Sequence, residues 1–281
     1  MNTEMTMEKR PERELEQAAA EVMQALGLWR VPADPFAVVR QEGIELAPGN
    51  YGSRFDARIE YLRDVDTFVL YYRQAEPGRT DGRVRFSIAH ELGHYYLHRD
   101  YLLAGQRHNS QSDFRSRNPM EQEADEFAAG LLMPRKLFVD RVRLFRGRVC
   151  VLKDLCHLAE NVFSTSVTST VRRYCQCGIE PASMVVSMNG RVKWALASED
   201  MRRLGFGYIE GGKAIPRTSE TAKLWSQWRD GSPEQQEPVE GSVTASVWFD
   251  RGYGRRLWEE AMVLGGTGYV LTYLTMENPP D

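Results

Sequence analysis

Apolar residues recur at three- and four-residue steps in several stretches, which is the pattern of amphipathic helices. The first stretch predicts a helix over residues 12–28 that Gly27 ends. Its apolar stripe consists of Leu15, Ala19, Val22, Met23 and Leu26. Asp34 followed by Pro35 predicts the N-cap and first turn of a second, short helix.

Short runs rich in β-branched and aromatic residues follow these helices. They cover residues 44–47, 55–62 and 67–72, and turn-forming residues at 48–50 and 64–66 separate them. We therefore predict three strands in a small antiparallel sheet.

The middle of the sequence returns to helical patterns. Residues 83–98 have apolar positions around most of a helix, which predicts a largely buried element. Residues 99–118 are polar and are predicted to form a loop, and a helix over 120–133 should stop at Pro134, where a further helix begins. The segments 152–162 and 164–175 have the pattern of a helix-turn-helix.

The last hundred residues favour strands. Asn189-Gly190 lies between two β-prone runs, 183–188 and 191–197, and predicts a hairpin with a type I′ turn. A helix over 218–228 and a loop over 230–240 follow. Three more strands are predicted at 242–249, 257–264 and 268–275. This α+β domain contains Trp194, Trp225, Trp228, Trp248 and Trp258, which could form a core or line a GAF- or PAS-like pocket.

Composition excludes several classes of protein. The chain has 281 residues, 42% of them hydrophobic and 27% charged, which is typical of a globular protein. No run approaches the roughly 18 apolar residues of a membrane span, and the charged N-terminus does not resemble a secretory signal, so we expect a cytoplasmic protein. The four cysteines, Cys150, Cys156, Cys175 and Cys177, are too few for a disulfide scaffold. We expect at least two of them to be buried thiols in the core, with a redox sensor as the alternative.

The net charge of −3 is unevenly distributed. Residues 1–134 have 16 basic and 22 acidic side chains, residues 135–178 have 9 and 3, and residues 179–281 have 11 and 14. The basic middle segment could contact DNA phosphates or hold a protein substrate, or it could be a solvated helical connector. We consider direct DNA binding possible but do not favour it.

The pattern HExxH at residues 90–94 is the main candidate for chemistry. At ~100° per residue, His90 and His94 lie ~40° apart on one helix face, so both imidazoles can bind one tetrahedral cation. Glu91 lies off that line but close enough to act as a general base. Two unrelated helix histidines are the alternative.

A catalytic zinc site needs a third protein ligand. His98 lies ~12 Å along the helix from His90, too far for one ion, so we interpret it as a helix-end residue. Glu121 and Asp125 share a helix face, an arrangement suited to a ligand carboxylate and a carboxylate that orients a ligand histidine. Glu123 points ~200° away from Glu121. For Glu123 and Glu126, a solvated acidic first turn is the alternative.

Two motifs in this order resemble the ImmA/IrrE family of zinc metallopeptidases. They are RFSIAHELGHYYLH and, with Glu121 placed 31 residues after His90, EQEADEFAAGLLMP. The resemblance covers 83–134 closely and the preceding sheet loosely. It implies a gluzincin-like fold, one Zn²⁺ per chain on His90, His94 and Glu121, and Glu91 as general base. Asp125 stands where the family often has asparagine, and either side chain can accept a hydrogen bond.

The sequence therefore predicts an α+β protein in three parts. Residues 1–134 form a zincin-type metallopeptidase domain, 135–178 a helix-turn-helix-like segment, and 179–281 a GAF/PAS-like sensor domain that regulates rather than catalyses. The resemblance implies a zinc-dependent endopeptidase that cleaves a helix-turn-helix transcriptional repressor and induces a stress or mobile-element response. The alternative is a DNA-binding or ligand-sensing regulator with a non-catalytic zinc domain.

Overall fold

The computed structural model describes residues 9–52, 54–74, 81–105, 118–145, 149–229, 237–252, 254–265 and 268–277. Its contacts define two units: residues up to Phe138 together with Glu160–Ser166, and Val139–Ala159 together with the residues from Val167 onward. The predicted segment 135–178 contributes to both units, so our three-part division remains a proposal about roles. No helix in the described ranges is long and apolar enough to cross a membrane.

The first unit begins with the two predicted helices. Helix α1 spans Glu12–Ala25, and Gly27 follows it with a φ of +66°, a conformation that glycine adopts without strain. Helix α2 spans Pro35–Gln41, and the Asp34 carboxylate accepts a hydrogen bond from the amide of Phe36 at 3.0 Å. Both helix starts agree with the sequence prediction.

The three strands of this unit form a mixed sheet. Strand β1 spans Glu45–Gly49, β2 spans Ala57–Leu62 and β3 spans Thr67–Arg73. The order is β1-β3-β2, with β2 antiparallel and β1 parallel to β3. The prediction of a purely antiparallel sheet was wrong, because β3 inserts between its two predecessors instead of pairing only with its sequence neighbour.

Four helices follow the sheet. Helix α3 spans Asp81–Leu97, α4 spans Arg99–Leu103, α5 spans Pro119–Leu132 and α6 spans Arg135–Val142. Helix α4 lies in the segment predicted to be a loop, and residues 106–117 of that segment are outside the described residues. Helix α5 packs against both α1 and α3, which explains why nearly all of its residues are buried.

The predicted helix-turn-helix segment is interrupted. Helix α7 spans Leu152–His157, a π-helical stretch spans Leu158–Phe163, and helix α8 spans Val167–Cys177. The prediction of a single α-helix over 152–162 was therefore wrong. In the first unit, the Phe163 ring packs 5.3 Å from that of Phe138.

The second unit contains a five-stranded antiparallel sheet. Its strands, in the order β5-β4-β8-β7-β6, are β4 (Ala182–Met188), β5 (Arg191–Ala197), β6 (Val239–Thr244), β7 (Arg256–Leu264) and β8 (Tyr269–Met276). Asn189 and Gly190 have φ values of 52° and 69°, as the predicted type I′ turn requires. The strand predicted at 242–249 ends at Thr244 instead, where a 3₁₀ turn begins.

Two short helices complete this unit, and buried carboxylates connect strand β7 to helices on both of its faces. Helix α9, which was not predicted, spans Glu199–Arg203, and α10 spans Glu220–Arg229. Glu259 accepts hydrogen bonds from Thr221 at the start of α10, and the neighbouring Glu260 accepts one from the Leu152 amide at the start of α7. Adjacent strand residues point to opposite faces, so α10 and α7 lie on opposite sides of β7.

Candidate metal centre

Close packing between α3 and α5 sets the geometry of the site. A Cβ atom on Gly93 would lie 2.8 Å from the Cα of Ala124, so only glycine lets α5 approach this closely. Asn118 caps α5, its side chain accepting from the Met120 amide at 3.0 Å, and Pro119 occupies the first turn. These two features place Glu121 in the first turn of α5, opposite the histidines of α3.

His90, His94 and Glu121 converge on one point. Their candidate ligand atoms all lie within 4.8 Å of one another, and all three residues are buried. The two Nε2 atoms are 3.1 Å apart, and the Glu121 oxygens lie 3.4 Å from Nε2 of His90 and 3.3 Å from Nε2 of His94.

These distances fit a divalent metal ion. Ligands bound at about 2.1 Å with tetrahedral angles stand roughly 3.4 Å from one another. Two imidazole nitrogens and one carboxylate are also a donor set found in catalytic zinc sites. The three residues could therefore hold a cation that leaves a fourth position for a substrate group or water.

Glu91 lies beside this cluster, and a residue of the small sheet binds its side chain. Its Oε2 accepts a hydrogen bond from the backbone amide of Ile59 at 2.9 Å, and the side chain is buried. Ile59 belongs to β2, an edge strand of the sheet. The sequence analysis did not identify this contact, because a backbone N–H has no residue-specific signal.

Asp125 lies where the shared helix face predicted it. Its Oδ1 is 2.8 Å from Nδ1 of His90, on the side of the ring away from Glu121. This carboxylate can fix the His90 ring so that Nε2 faces the centre.

His98 and Glu123 are closer to the site than expected. His98 follows the last residue of α3, so its description as a helix-end residue holds, but it is buried and its Nδ1 lies 3.0 Å from Nδ1 of His94. Glu123 is fully buried and lies 3.0 Å from Nε2 of His98. The alternative of a solvated carboxylate at Glu123 was therefore wrong; Glu126 is buried as well.

The electrostatic environment differs between the two histidines. Burial lowers the pKa of His90, but hydrogen bonds to Asp125 and Glu121 outweigh it and raise that pKa to about 10. Burial lowers the pKa of His94 to about 3 despite its hydrogen bond to Glu121. Burial raises the pKa of Glu121, but the hydrogen bonds to both histidines have the larger effect and hold it well below its usual range.

The cysteines lie outside this cluster, and the burial of three of them agrees with the expected role in packing. Cys150, Cys175 and Cys177 are buried, and Cys156 is partly exposed. Burial raises the pKa of the Cys175 thiol to about 12. Since the thiolate is the reactive form, this environment disfavours a redox role for Cys175.

Comparison with known proteins agrees with the site. The model of peptidase family M78, described as the IrrE N-terminal-like domain, matches residues 54–156. Among solved structures, a Mycobacterium tuberculosis transcriptional regulator is similar, with a TM-score of 0.61 and 15% identity over 94% of this chain and 76% of that chain. At this identity, the likeness concerns the fold alone. No curated protein matches the sequence.

Proposed function

We propose that this chain is a zinc-dependent endopeptidase. The match of residues 54–156 to the IrrE N-terminal-like domain of peptidase family M78 supports the resemblance to the ImmA/IrrE family seen in the sequence. The observation that carries the proposal is the convergence of His90, His94 and Glu121 with Glu91 beside them. A metal site with only a structural role needs carboxylates that bind the ion or orient a ligand, as Glu121 and Asp125 can, but it does not need a general base. A general base needs the position that Glu91 occupies.

In this mechanism His90, His94 and Glu121 would hold the ion, and a bound ion would supply polarisation of the scissile carbonyl and a lower pKa for the attacking water. Glu91 accepts the proton of that water and passes it to the leaving amine. The Ile59 amide, by holding one oxygen of Glu91, fixes the orientation of the carboxylate. Asp125 keeps the Nε2 of His90 directed at the ion.

The substrate we propose is a helix-turn-helix transcriptional repressor in the cytoplasm, whose cleavage induces a stress or mobile-element response. Support comes from the family resemblance, which implies a substrate of this kind, and the similar solved structure is named a transcriptional regulator. We assign regulation to residues 179–281 and propose a GAF/PAS-like sensor there. Its single antiparallel sheet and large apolar core are compatible with such a domain.

The test is Glu91→Gln, which keeps the shape of the side chain but cannot accept a proton. Cells expressing the wild type or the variant are compared for new protein N-termini by mass spectrometry, a readout that does not require a known substrate. We expect the variant to bind metal normally and to lose cleavage by a factor on the order of 10²–10⁴. Cleavage at the wild-type rate would contradict the mechanism.

Glu60→Gln is the matched control. Glu60 is also a buried carboxylate and neighbours Ile59, but it pairs with Arg58 at 2.6 Å. We expect this variant to retain cleavage, so that loss of a buried charge near the sheet can be separated from loss of the base.

The second candidate function is a transcriptional regulator with a non-catalytic metal domain, favoured by the name of the similar structure. The same variant distinguishes the two functions. If Glu91→Gln abolishes proteolysis yet still induces the target genes, regulation without cleavage becomes the better description.

A further inference from the structure

The two histidines of the candidate centre are supported in different ways. His90 has a carboxylate directly on its second ring nitrogen, since Asp125 lies 2.8 Å from its Nδ1. The second ring nitrogen of His94 instead faces another imidazole, that of His98, at 3.0 Å. His98 in turn lies 3.0 Å from the carboxylate of Glu123.

The positions of the protons along this series follow from the metal. If Nε2 of His94 binds an ion, its Nδ1 must carry the proton of the neutral ring and donate it to Nδ1 of His98. His98 then accepts at Nδ1, so its own proton lies on Nε2 and is donated to Glu123. Every hydrogen bond therefore runs in one direction, and each ring has a single tautomer.

Arg10, just before helix α1, is the last member of the series that runs from His94 through His98 to Glu123. Its backbone amide donates to Oε1 of Glu123 at 2.7 Å, and its guanidinium lies 3.3 Å from Oε2. The same guanidinium donates to the Leu97 carbonyl, the last residue of α3, at 3.2 Å. Arg10 thus balances the buried charge of Glu123 and fixes the helix end from which His98 projects.

We propose that His98, Glu123 and Arg10, here called the His98 relay, position His94 as a metal ligand. The inference rests on the proposed function, because it assigns these residues a role toward the ion. None of the three touches the reacting atoms. Their effect is to hold the ring angle of His94 and to keep its Nε2 unprotonated and directed at the centre.

The relay also explains why a charged side chain is tolerated at a fully buried position. A carboxylate without partners inside a protein is strongly destabilising. Glu123 has the amide and guanidinium of Arg10 on one side and the His98 ring on the other. Two parts of the sequence separated by more than a hundred residues therefore meet at a single carboxylate.

The experiment measures zinc affinity and histidine tautomers in the full chain. Zinc dissociation constants are determined for the wild type, His98→Leu, His98→Asn and Glu123→Gln. Long-range ¹H–¹⁵N spectra of the zinc-loaded proteins report which ring nitrogen carries each proton. Tyr95→Phe is the control, because it changes the residue that follows His94 and removes only a hydroxyl that donates to Glu42 at 3.0 Å.

We expect His98→Leu to bind one zinc per chain with 10–100-fold lower affinity, the usual effect of losing the partner of a ligand histidine. His98→Asn should recover much of this loss, since its amide oxygen can accept the His94 proton. Glu123→Gln should weaken binding by more than twofold, because an amide accepts the His98 proton less strongly than a carboxylate. Tyr95→Phe should change neither the zinc affinity nor the tautomers.

The inference is overturned if His98 carries its proton on Nδ1 in the zinc-loaded wild type, or if His98→Leu and Glu123→Gln bind zinc within twofold of the wild type. A wild-type protein that binds no zinc would instead contradict the proposed function. If His98→Leu does not fold, as judged by circular dichroism, Glu123→Gln decides. Zinc binding within twofold of the wild type then overturns the inference, and weaker binding supports it.

Discussion

The α3–α5 pair and strand β7 both bury carboxylates, yet the groups opposite these carboxylates differ. Glu259 on β7 accepts from the Thr221 amide at 2.8 Å, the Thr221 hydroxyl at 2.7 Å and the Trp248 indole at 3.0 Å. Three donors of fixed geometry satisfy this side chain. Glu121 instead faces two imidazole nitrogens that are themselves only 3.1 Å from each other.

This difference separates a structural carboxylate from a ligand. Around Glu259 the protein supplies all the donors, so the carboxylate connects α10 to β7 without any added group. Around Glu121 three electron-pair donors converge, an arrangement that a cation stabilises. Burial of an acidic side chain is therefore not a sign of function by itself. The groups that it faces determine whether it is structural or a candidate ligand.

The largest effect should follow from replacing the carboxylate at the centre. We expect Glu121→Gln to lower zinc affinity by more than about 100-fold, because residues that only support a ligand account for 10–100-fold. Metal analysis after dialysis and competition with a chelator measure the loss.

Asp125→Asn is the matched variant for this change, since Asp125 lies one turn along the same helix. Asparagine can still accept the hydrogen of His90, so we expect a loss of less than about tenfold. If Asp125→Asn loses the metal while Glu121→Gln keeps it, the two carboxylates have been assigned the wrong roles.

Acidity should affect the centre next most strongly. The raised pKa of His90, about 10, means that this ring is an imidazolium, with a proton on both nitrogens, between pH 6 and 8, whereas the lowered pKa values of His94 and Glu121 leave that ring neutral and the carboxylate ionised. Zinc must displace one proton, so its apparent affinity should rise about tenfold per pH unit in this range.

Calorimetry in two buffers of different ionisation enthalpy counts the protons that zinc releases. One proton per metal is expected at pH 7 in the wild type. A pH-independent affinity between pH 6 and 8 would show that His90 is neutral before the metal binds.

The sequence predicted the centre better than its surroundings, for physical reasons. That the two helices meet was implied by the family resemblance. Helical spacing fixes which side chains share a face, so His90 could be paired with His94, and Glu121 with Asp125, without a structure. The alternation and turn chemistry of the Asn189-Gly190 hairpin are equally local. Each of these predictions depends on residues close in sequence or on a known helical period.

What the sequence did not predict depends on distant pairing. The Ile59 amide holds Glu91 from a strand 32 residues earlier, and Arg10 holds Glu123 across 113 residues. The parallel pairing of β1 with β3 likewise joins residues far apart in sequence, and no local sequence signal indicated the π-helical stretch at Leu158–Phe163. Such contacts become visible only when the elements are assembled.

The smallest effect on metal binding should come from replacing Glu259, the buried carboxylate of β7. This variant tests whether a carboxylate satisfied by protein donors affects stability but not the metal. In Glu259→Gln the new amide presents its NH₂ group to donors, so at least one of the Thr221 and Trp248 contacts is lost. We expect about 1–3 kcal/mol of lost stability in urea unfolding, the cost of leaving a buried polar group without its partner. Zinc affinity should stay within twofold of the wild type, because the partners of this carboxylate, Thr221 and Trp248, belong to the second unit and not to the α3–α5 pair. A variant that retained full stability but lost zinc would refute the distinction between a donor-satisfied carboxylate and a ligand carboxylate.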